Sequence, residues 1–280
     1  MVAIVISKRS KRVSLGFYAL IAFISPVIIG CDRVDMDIEN ITTYSTSIKL
    51  IAHRGYWNID GCSQNSIAAF NNAGELGIYG SEFDVWKTRD DKLVVFHDPT
   101  YHGMTIVNTN FDDLRNPSHT LSNGEIIPSL DDLLAASLNY PNLHLILELK
   151  STGTKEYNQR AVELVQDSVD KFNVNNRIVF ISFNLDVCRL FREINADAPI
   201  AFLGENIVLD ELNKMGINGI DYYFTSFIAN PSLVYQAHAL GMFVNTWTVD
   251  DTSSALQLER IGVDMITTNN PKNFKSLFSI

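Results

Sequence analysis

The sequence predicts a (β/α)8 barrel, and three observations carry that prediction. Short β-rich runs recur from Lys49 onward, each followed by a segment with helical spacing. Several of these runs, such as residues 143–149 and 177–182, are almost continuously apolar, as strands covered on both faces are. Roughly eight strand–helix units occupy about 230 residues, the size of one barrel. An open doubly wound sheet is the competing arrangement.

The strand candidates are residues 50–53, 80–86, 93–97, 143–149, 177–183, 200–203, 219–224, 243–249 and 265–268. Helix candidates lie between them at 66–76, 129–137, 156–172, 185–194, 231–240 and 252–261. Gly77, Gly241 and Gly262 each stand just past a helical pattern, where helices commonly end. Residues 101–128 have no clear place in the alternation and read as a small inserted loop or subdomain. The 46% hydrophobic content suffices for a large core. Three Cys in 280 residues exclude a disulfide-built scaffold; Cys62 and Cys188 read as two buried thiols, with pairing in an oxidising compartment as the alternative. A net charge of -10 argues against a nucleic-acid partner. No glycine-rich nucleotide-binding loop follows any strand.

The first thirty residues stand apart. Lys8, Arg9, Lys11 and Arg12 precede an apolar run from Val13 to Ile29, and no Asp or Glu occurs. That order reads as an export signal. The ending Ile28-Ile29-Gly30-Cys31 resembles a bacterial lipoprotein signal, which implies removal of residues 1–30 and a lipid on Cys31. An uncleaved membrane anchor and a simple secretory signal are the alternatives. Residues 31–48 read as a flexible tether and 49–280 as the folded domain. Cleavage would leave 18 basic residues against 32 acidic, a balance of −14. The expected location is a bacterial cell envelope, with the membrane reached through the lipid.

Residues at the carboxyl ends of barrel strands line the active site. Those ends here carry His53-Arg54-Gly55, Glu82-x-Asp84, His97-Asp98, Glu148-x-Lys150 and Thr246-Trp247-Thr248. Residues two apart on a strand share a face, so Glu82 pairs with Asp84 and Glu148 with Lys150. Carboxylates facing inward together repel unless a cation or a shared proton separates them. Three hard oxygen donors, Glu82, Asp84 and Glu148, suit Mg2+ or Ca2+ better than Zn2+. Arg54 and Lys150 supply charge for an anion, and two His suit acid–base work near neutral pH. Together these groups describe cleavage of a phosphoryl ester.

The runs Ile51-Ala52-His53-Arg54-Gly55, Ser81-Glu82-Phe83-Asp84-Val85, Val94-Val95-Phe96-His97-Asp98-Pro99-Thr100 and Leu147-Glu148-Leu149-Lys150 resemble motifs of the glycerophosphodiester phosphodiesterases. Asn245-Thr246-Trp247-Thr248-Val249 and the run from Gly262 to Asn269 resemble that family's closing strands. The likeness spans about Lys49 to Pro271. It implies the barrel and hydrolysis of glycerophosphodiesters to glycerol 3-phosphate and an alcohol. It further implies His53 and His97 as acid–base pair, and Glu82, Asp84 and Glu148 as ligands of one divalent cation. Arg54 and Lys150 would contact phosphate, and Trp247 would line the wall.

One departure stands out. Where the family usually has Pro-Glu-Asn-Thr, this chain has Ser63-Gln64-Asn65-Ser66. Gln64 keeps the size of Glu without its charge, and Asn65 and Ser66 keep groups that can cap the next helix. A lysophospholipid or phosphodiester-linked glycan is an alternative substrate. A non-catalytic phosphodiester-binding lipoprotein is the reading from another class. Phe183, just past a strand, is a further candidate for substrate contact, and His102 for reaching the substrate. His119, His144 and His238 read as ordinary histidines, and Asp250-Asp251 as a helix start.

Overall fold

The structure is a computed structural model that describes residues 48–280. The signal, Cys31 and the tether up to residue 47 lie outside the described residues. Ile48, assigned above to the tether, is already core, with 3% exposed.

The chain begins with β1 (Lys49–Ala52), α1 (Ile67–Leu76), β2 (Gly80–Lys87) and β3 (Leu93–Val95). The insertion follows: a hairpin of β4 (Thr100–Tyr101) and β5 (Met104–Thr105), then α2 (Phe111–Leu114). Next come α3 (Leu130–Ser137), β6 (His144–Leu149), α4 (Lys155–Phe172), β7 (Ile178–Ser182), α5 (Leu185–Ile194) and β8 (Ile200–Phe202). After them run α6 (Leu209–Lys214), β9 (Gly219–Tyr223), α7 (Phe224–Ala229) and α8 (Ser232–Ala239). The chain closes with β10 (Phe243–Trp247), α9 (Thr252–Arg260), β11 (Met265–Thr268) and α10 (Pro271–Phe278).

Eight strands pair in parallel in the cyclic order β1, β2, β6, β7, β8, β9, β10, β11, and β11 returns to β1. The sheet is therefore a closed (β/α)8 barrel, with no unpaired edge within the ring. Side chains alternate as period two requires. On β2 and β6, Phe83, Val85, Leu145, Leu147 and Leu149 join the large core beneath the helices. Ile146 points the other way, into an inner cluster with Ile51, Val179, Ile181, Ala201, Leu203 and Met265. Burying each large aliphatic side chain contributes about 1.5–3 kcal/mol. This apolar plug forms the floor on which the polar strand ends stand.

The run 93–97 is not a barrel strand. β3 pairs antiparallel with β2, Val85 opposite Val95 and Lys87 opposite Leu93. The turn between them is tied by Thr88, whose hydroxyl donates to Asp90 (2.7 Å) and accepts from the Lys92 amide (3.0 Å). β3 thus carries the chain back, and the Phe96 amide donates to the Asp84 carbonyl at 2.9 Å. The insertion has its own apolar cluster around Trp86, Tyr101, Ile106, Leu114 and Leu121. Its Glu125 carboxylate accepts from the Ile67 and Ala68 amides, two free N–H groups of the first turn of α1.

Most helices start where the sequence indicates. Ser66 caps α1 by accepting from the Ala69 amide, and Ser129 with Asp132 forms a capping box on α3. Asn65 does not cap; its side chain turns to Asp84. Cys188 is buried, but Cys62 is only half-buried, contrary to the expectation of two buried thiols. Gly55 explains why glycine follows His53-Arg54. Its φ is +78°, and a Cβ there would stand 2.7 Å from the carbonyl carbon of Ala69 on α1. Gly55→Ala is expected to cost at least about 2 kcal/mol through strain and backbone collision, read as a lower midpoint in urea unfolding.

Candidate active site

A cavity of about 250 Å3 opens at the carboxyl ends of the strands, above the apolar plug. His53, Arg54, Glu82, His97, Glu148, Lys150, Phe183 and Trp247 line it. Asp84 lies directly against them through Lys150 and Arg54. All nine residues selected from the sequence therefore meet at one place.

Glu82, Asp84 and Glu148 are all buried, and their ligand atoms lie within 4.8 Å of one another. Register accounts for this: Asp84 stands opposite Glu148 in the β2–β6 ladder, and Glu82 lies two residues earlier on the same face. Burial and the neighbouring carboxylates push Glu82 well above the usual carboxylate range, against a hydrogen bond of 2.8 Å from the Arg54 amide. Burial likewise pushes Glu148 up to about 7, opposed by Lys150. Burial alone would also raise Asp84, but Lys150 and Arg54 outweigh it and hold the carboxyl down at about 2. The Lys150 ammonium bridges Asp84 at 2.8 Å and Glu148 at 2.7 Å. An ammonium has three donors, so one remains for a ligand. Asn65 donates to the other Asp84 oxygen at 2.8 Å, and Arg54 Nε stands 3.6 Å from it.

Counting charge decides what this group can accept. With all three carboxylates ionised, as cation binding requires, Lys150 and Arg54 leave −1, and a divalent cation would turn that into +1. The donor set is all hard oxygen, desolvated and mutually repelling, which fits Mg2+ or Ca2+. The residues present therefore fit one divalent cation held by Glu82, Asp84 and Glu148.

The two His are positioned differently. The Asp250 carboxylate accepts from the Asn269 side-chain amide (2.7 Å) and backbone amide (2.8 Å). Because Asn269 Nδ2 donates to Asp250, its Oδ1 faces His53 Nδ1 at 2.9 Å and makes that nitrogen the donor. The free lone pair then lies on Nε2. Burial, and after it Arg54, lowers the His53 pKa to about 4, so the ring is neutral near pH 7. His97, brought back by β3, donates from Nδ1 to Asp98 at 2.7 Å, and its carbonyl accepts from the Trp86 indole at 3.1 Å.

Sequence reasoning passed over the roles of three residues here. Asp221 lies inside an apolar run, yet it points into the barrel and is 1% exposed. Burial pushes its carboxyl up to about 8, against a hydrogen bond from Asn245 (2.9 Å). A lone acid at an inward position of a strand was the available signal. Its backbone carbonyl accepts from the Trp247 indole at 3.0 Å and fixes that ring. Asn269 stood inside a quoted motif without a role. In the pair read as a helix start, only Asp251 caps α9, while Asp250 holds Asn269.

Of the remaining candidates, Phe183 packs edge-on against Trp247, with ring centroids 5.6 Å apart. His102 bonds to the Thr120 carbonyl at 2.9 Å and faces a neighbouring cavity rather than this one. His144 stacks on Tyr79 and His238 bonds to Asp264. Gln64 replaces a carboxylate yet keeps a bond, accepting from Arg54 Nη1 at 2.7 Å.

Comparison with known proteins adds to this geometry. Residues 53–273 match the model of the glycerophosphoryl diester phosphodiesterase family. A crystal structure of a glycerophosphodiester phosphodiesterase from Parabacteroides distasonis is 38% identical, with a TM-score of 0.81 over 83% of this chain and 97% of that one. A glycerophosphodiester phosphodiesterase of Caldanaerobacter subterraneus is 27% identical over 240 residues, 81% of this chain and 96% of its own length. An Oleispira antarctica phosphodiesterase, solved with the product sn-glycerol-3-phosphate, shares the fold at 22% identity, with a TM-score of 0.74 over 85% of this chain and 99% of that one.

The Asp250–Asn269–His53 chain makes a specific expectation. Asp250→Ala frees Asn269 to turn its amide and should lower kcat on the order of tenfold or more. Divalent-cation affinity, read by titration calorimetry, should stay within about twofold, because Asp250 touches no member of the carboxylate group.

Proposed function

Since the chain belongs to the glycerophosphoryl diester phosphodiesterase family, we propose that it cleaves glycerophosphodiesters to glycerol 3-phosphate and an alcohol, with His53 and His97 as its acid–base pair and one Ca2+ or Mg2+ on Glu82, Asp84 and Glu148. That it is a glycerophosphodiester phosphodiesterase follows from the family and its relatives. The assignment of roles rests above all on the charge count. A site at −1 becomes +1 with a divalent cation and is then matched by a phosphodiester monoanion.

When bound, the cation would polarise the phosphate and offset charge building on its free oxygens. Arg54 and the remaining Lys150 donor grip the same oxygens. His53 Nε2, unprotonated and aimed by Asn269, takes the proton of the attacking oxygen. His97, set by Asp98, gives a proton to the departing oxygen. Trp247 and Phe183 form an aromatic wall of the cavity. Residues 1–30 we read as a removed signal, with Cys31 lipidated and the barrel held at a bacterial cell envelope. Among the described residues, no helix is long and apolar enough to cross a membrane.

Purified protein should release glycerol 3-phosphate from glycerophosphocholine or glycerophosphoethanolamine when Ca2+ or Mg2+ is present, and lose that release in EDTA. His53→Ala should lower kcat on the order of 10²–10⁴. Metal-independent release, or equal rates in wild type and His53→Ala, would contradict the assignment. The pH profile tests it separately. A base must be deprotonated, and His53 titrates at about 4 rather than the usual 6.5. Measured at saturating divalent cation, which keeps Glu82 and Glu148 ionised, the acid limb of kcat/KM should therefore fall near pH 4, with full rate retained at pH 6.

A further inference from the structure

Beside the phosphate site, on the side of the insertion, lies a second cavity of about 500 Å3. The Arg54–Gln64 bond joins their linings, for Arg54 lines the catalytic cavity and Gln64 the neighbouring one. Phe96, next to His97 in the chain, lines the second cavity as well. The linings differ in kind. Where the catalytic cavity is built from carboxylates and cations, no Asp, Glu, Lys or Arg lines the second one. It presents Thr100 and the mutually bonded hydroxyls of Ser63 and Ser122, together with the aromatic side chains of Trp57 and Phe96 and the imidazole of His102. A charged headgroup entering it would lose water and meet no counter-charge. A neutral ring bearing hydroxyls can lay its C–H face on an aromatic side chain and exchange hydrogen bonds with the hydroxyls.

Gln64 adds direction to this lining. A guanidinium can only donate, so the Gln64 oxygen faces Arg54 and its amide nitrogen turns away. Those two N–H groups have no acceptor among the described residues. A Glu at this position would hold Arg54 as well, but would offer no donor and would make the lining negative. Trp57 contributes its ring to the lining.

We propose that this cavity is a second subsite for a neutral polyhydroxylated ring, a sugar or cyclitol, esterified to the phosphate held at Arg54, with the Gln64 amide nitrogen donating to its oxygens. The inference rests on the phosphodiesterase reading and gives it a substrate class. The insertion then acts in selectivity as well as in capping α1, since Thr100 and Ser122 come from it and from its edge.

The test is a ratio of kcat/KM for glycerophosphoglucose over glycerophosphoethanol, two diesters with uncharged headgroups, measured on the full chain with a divalent cation. Ser122→Trp fills the cavity from its exposed side and should lower the ratio about tenfold; Gln64→Glu keeps the bond to Arg54, loses the donor and should lower it about fivefold. If Gln64 only held Arg54, the Glu variant would keep the wild-type ratio, and that result overturns the subsite. Should Ser122→Trp fail to fold, Gln64→Glu decides alone. Wild type that cleaves neither substrate would overturn the phosphodiesterase reading itself, and the subsite with it.

Discussion

Three carboxylates buried within 4.8 Å of one another repel, and much of the surrounding structure answers that repulsion. Lys150 sits between Asp84 and Glu148, Arg54 approaches Asp84, and Asn65 and the Arg54 amide donate to the remaining oxygens. These groups would not complete the neutralisation of three ionised carboxylates, since one negative charge would be left over. Glu82 bears the consequence, with its carboxyl held far above the usual range. A folded chain tolerates such a site when a ligand supplies the missing charge. The overall acidity of the chain says little about this, because the field in the cavity is set by groups a few ångströms away.

The barrel makes the repulsion possible. Below the acids, the plug around Ile146, Ile181 and Leu203 excludes water from the interior. Above them, the strand ends supply cations and His from several separate segments. β3 matters more than its three residues suggest, because it turns the chain after β2 and returns His97 to the rim. The insertion packs on that hairpin and lends Glu125 to the start of α1. Gly55, pressed against Ala69, places α1 close behind Arg54.

Much of this was legible in the sequence, for a physical reason. Parallel strands buried on both faces read as apolar runs, and a polar residue at their carboxyl ends has little reason to be there except a site. That logic brought His53, Glu82, Glu148 and Trp247 together correctly. It gave no hint that the run 93–97 pairs antiparallel, since pairing partners leave no mark on a three-residue strand. The helices α6, α7 and α10 were missed because six to eight residues carry too little periodicity to count. Asp221 was missed because the search stopped at strand ends, whereas this acid sits one level deeper among apolar neighbours. Asp250 and Asn65 were read as capping residues because Asx side chains favour helix starts; long-range partners claimed both instead. Which of two adjacent polar residues caps and which reaches across the site is decided by tertiary structure.

The central claim is that Glu82, Asp84 and Glu148 form one divalent-cation site whose missing charge organises the rest. Anomalous diffraction from crystals soaked in Mn2+ tests it most directly, since that ion takes the same oxygen donors. The account predicts one strong peak within bonding distance of all three carboxylates, with Lys150 still engaged by Asp84 or Glu148. An empty site at saturating Mn2+, with Lys150 alone bridging the carboxylates, would contradict it.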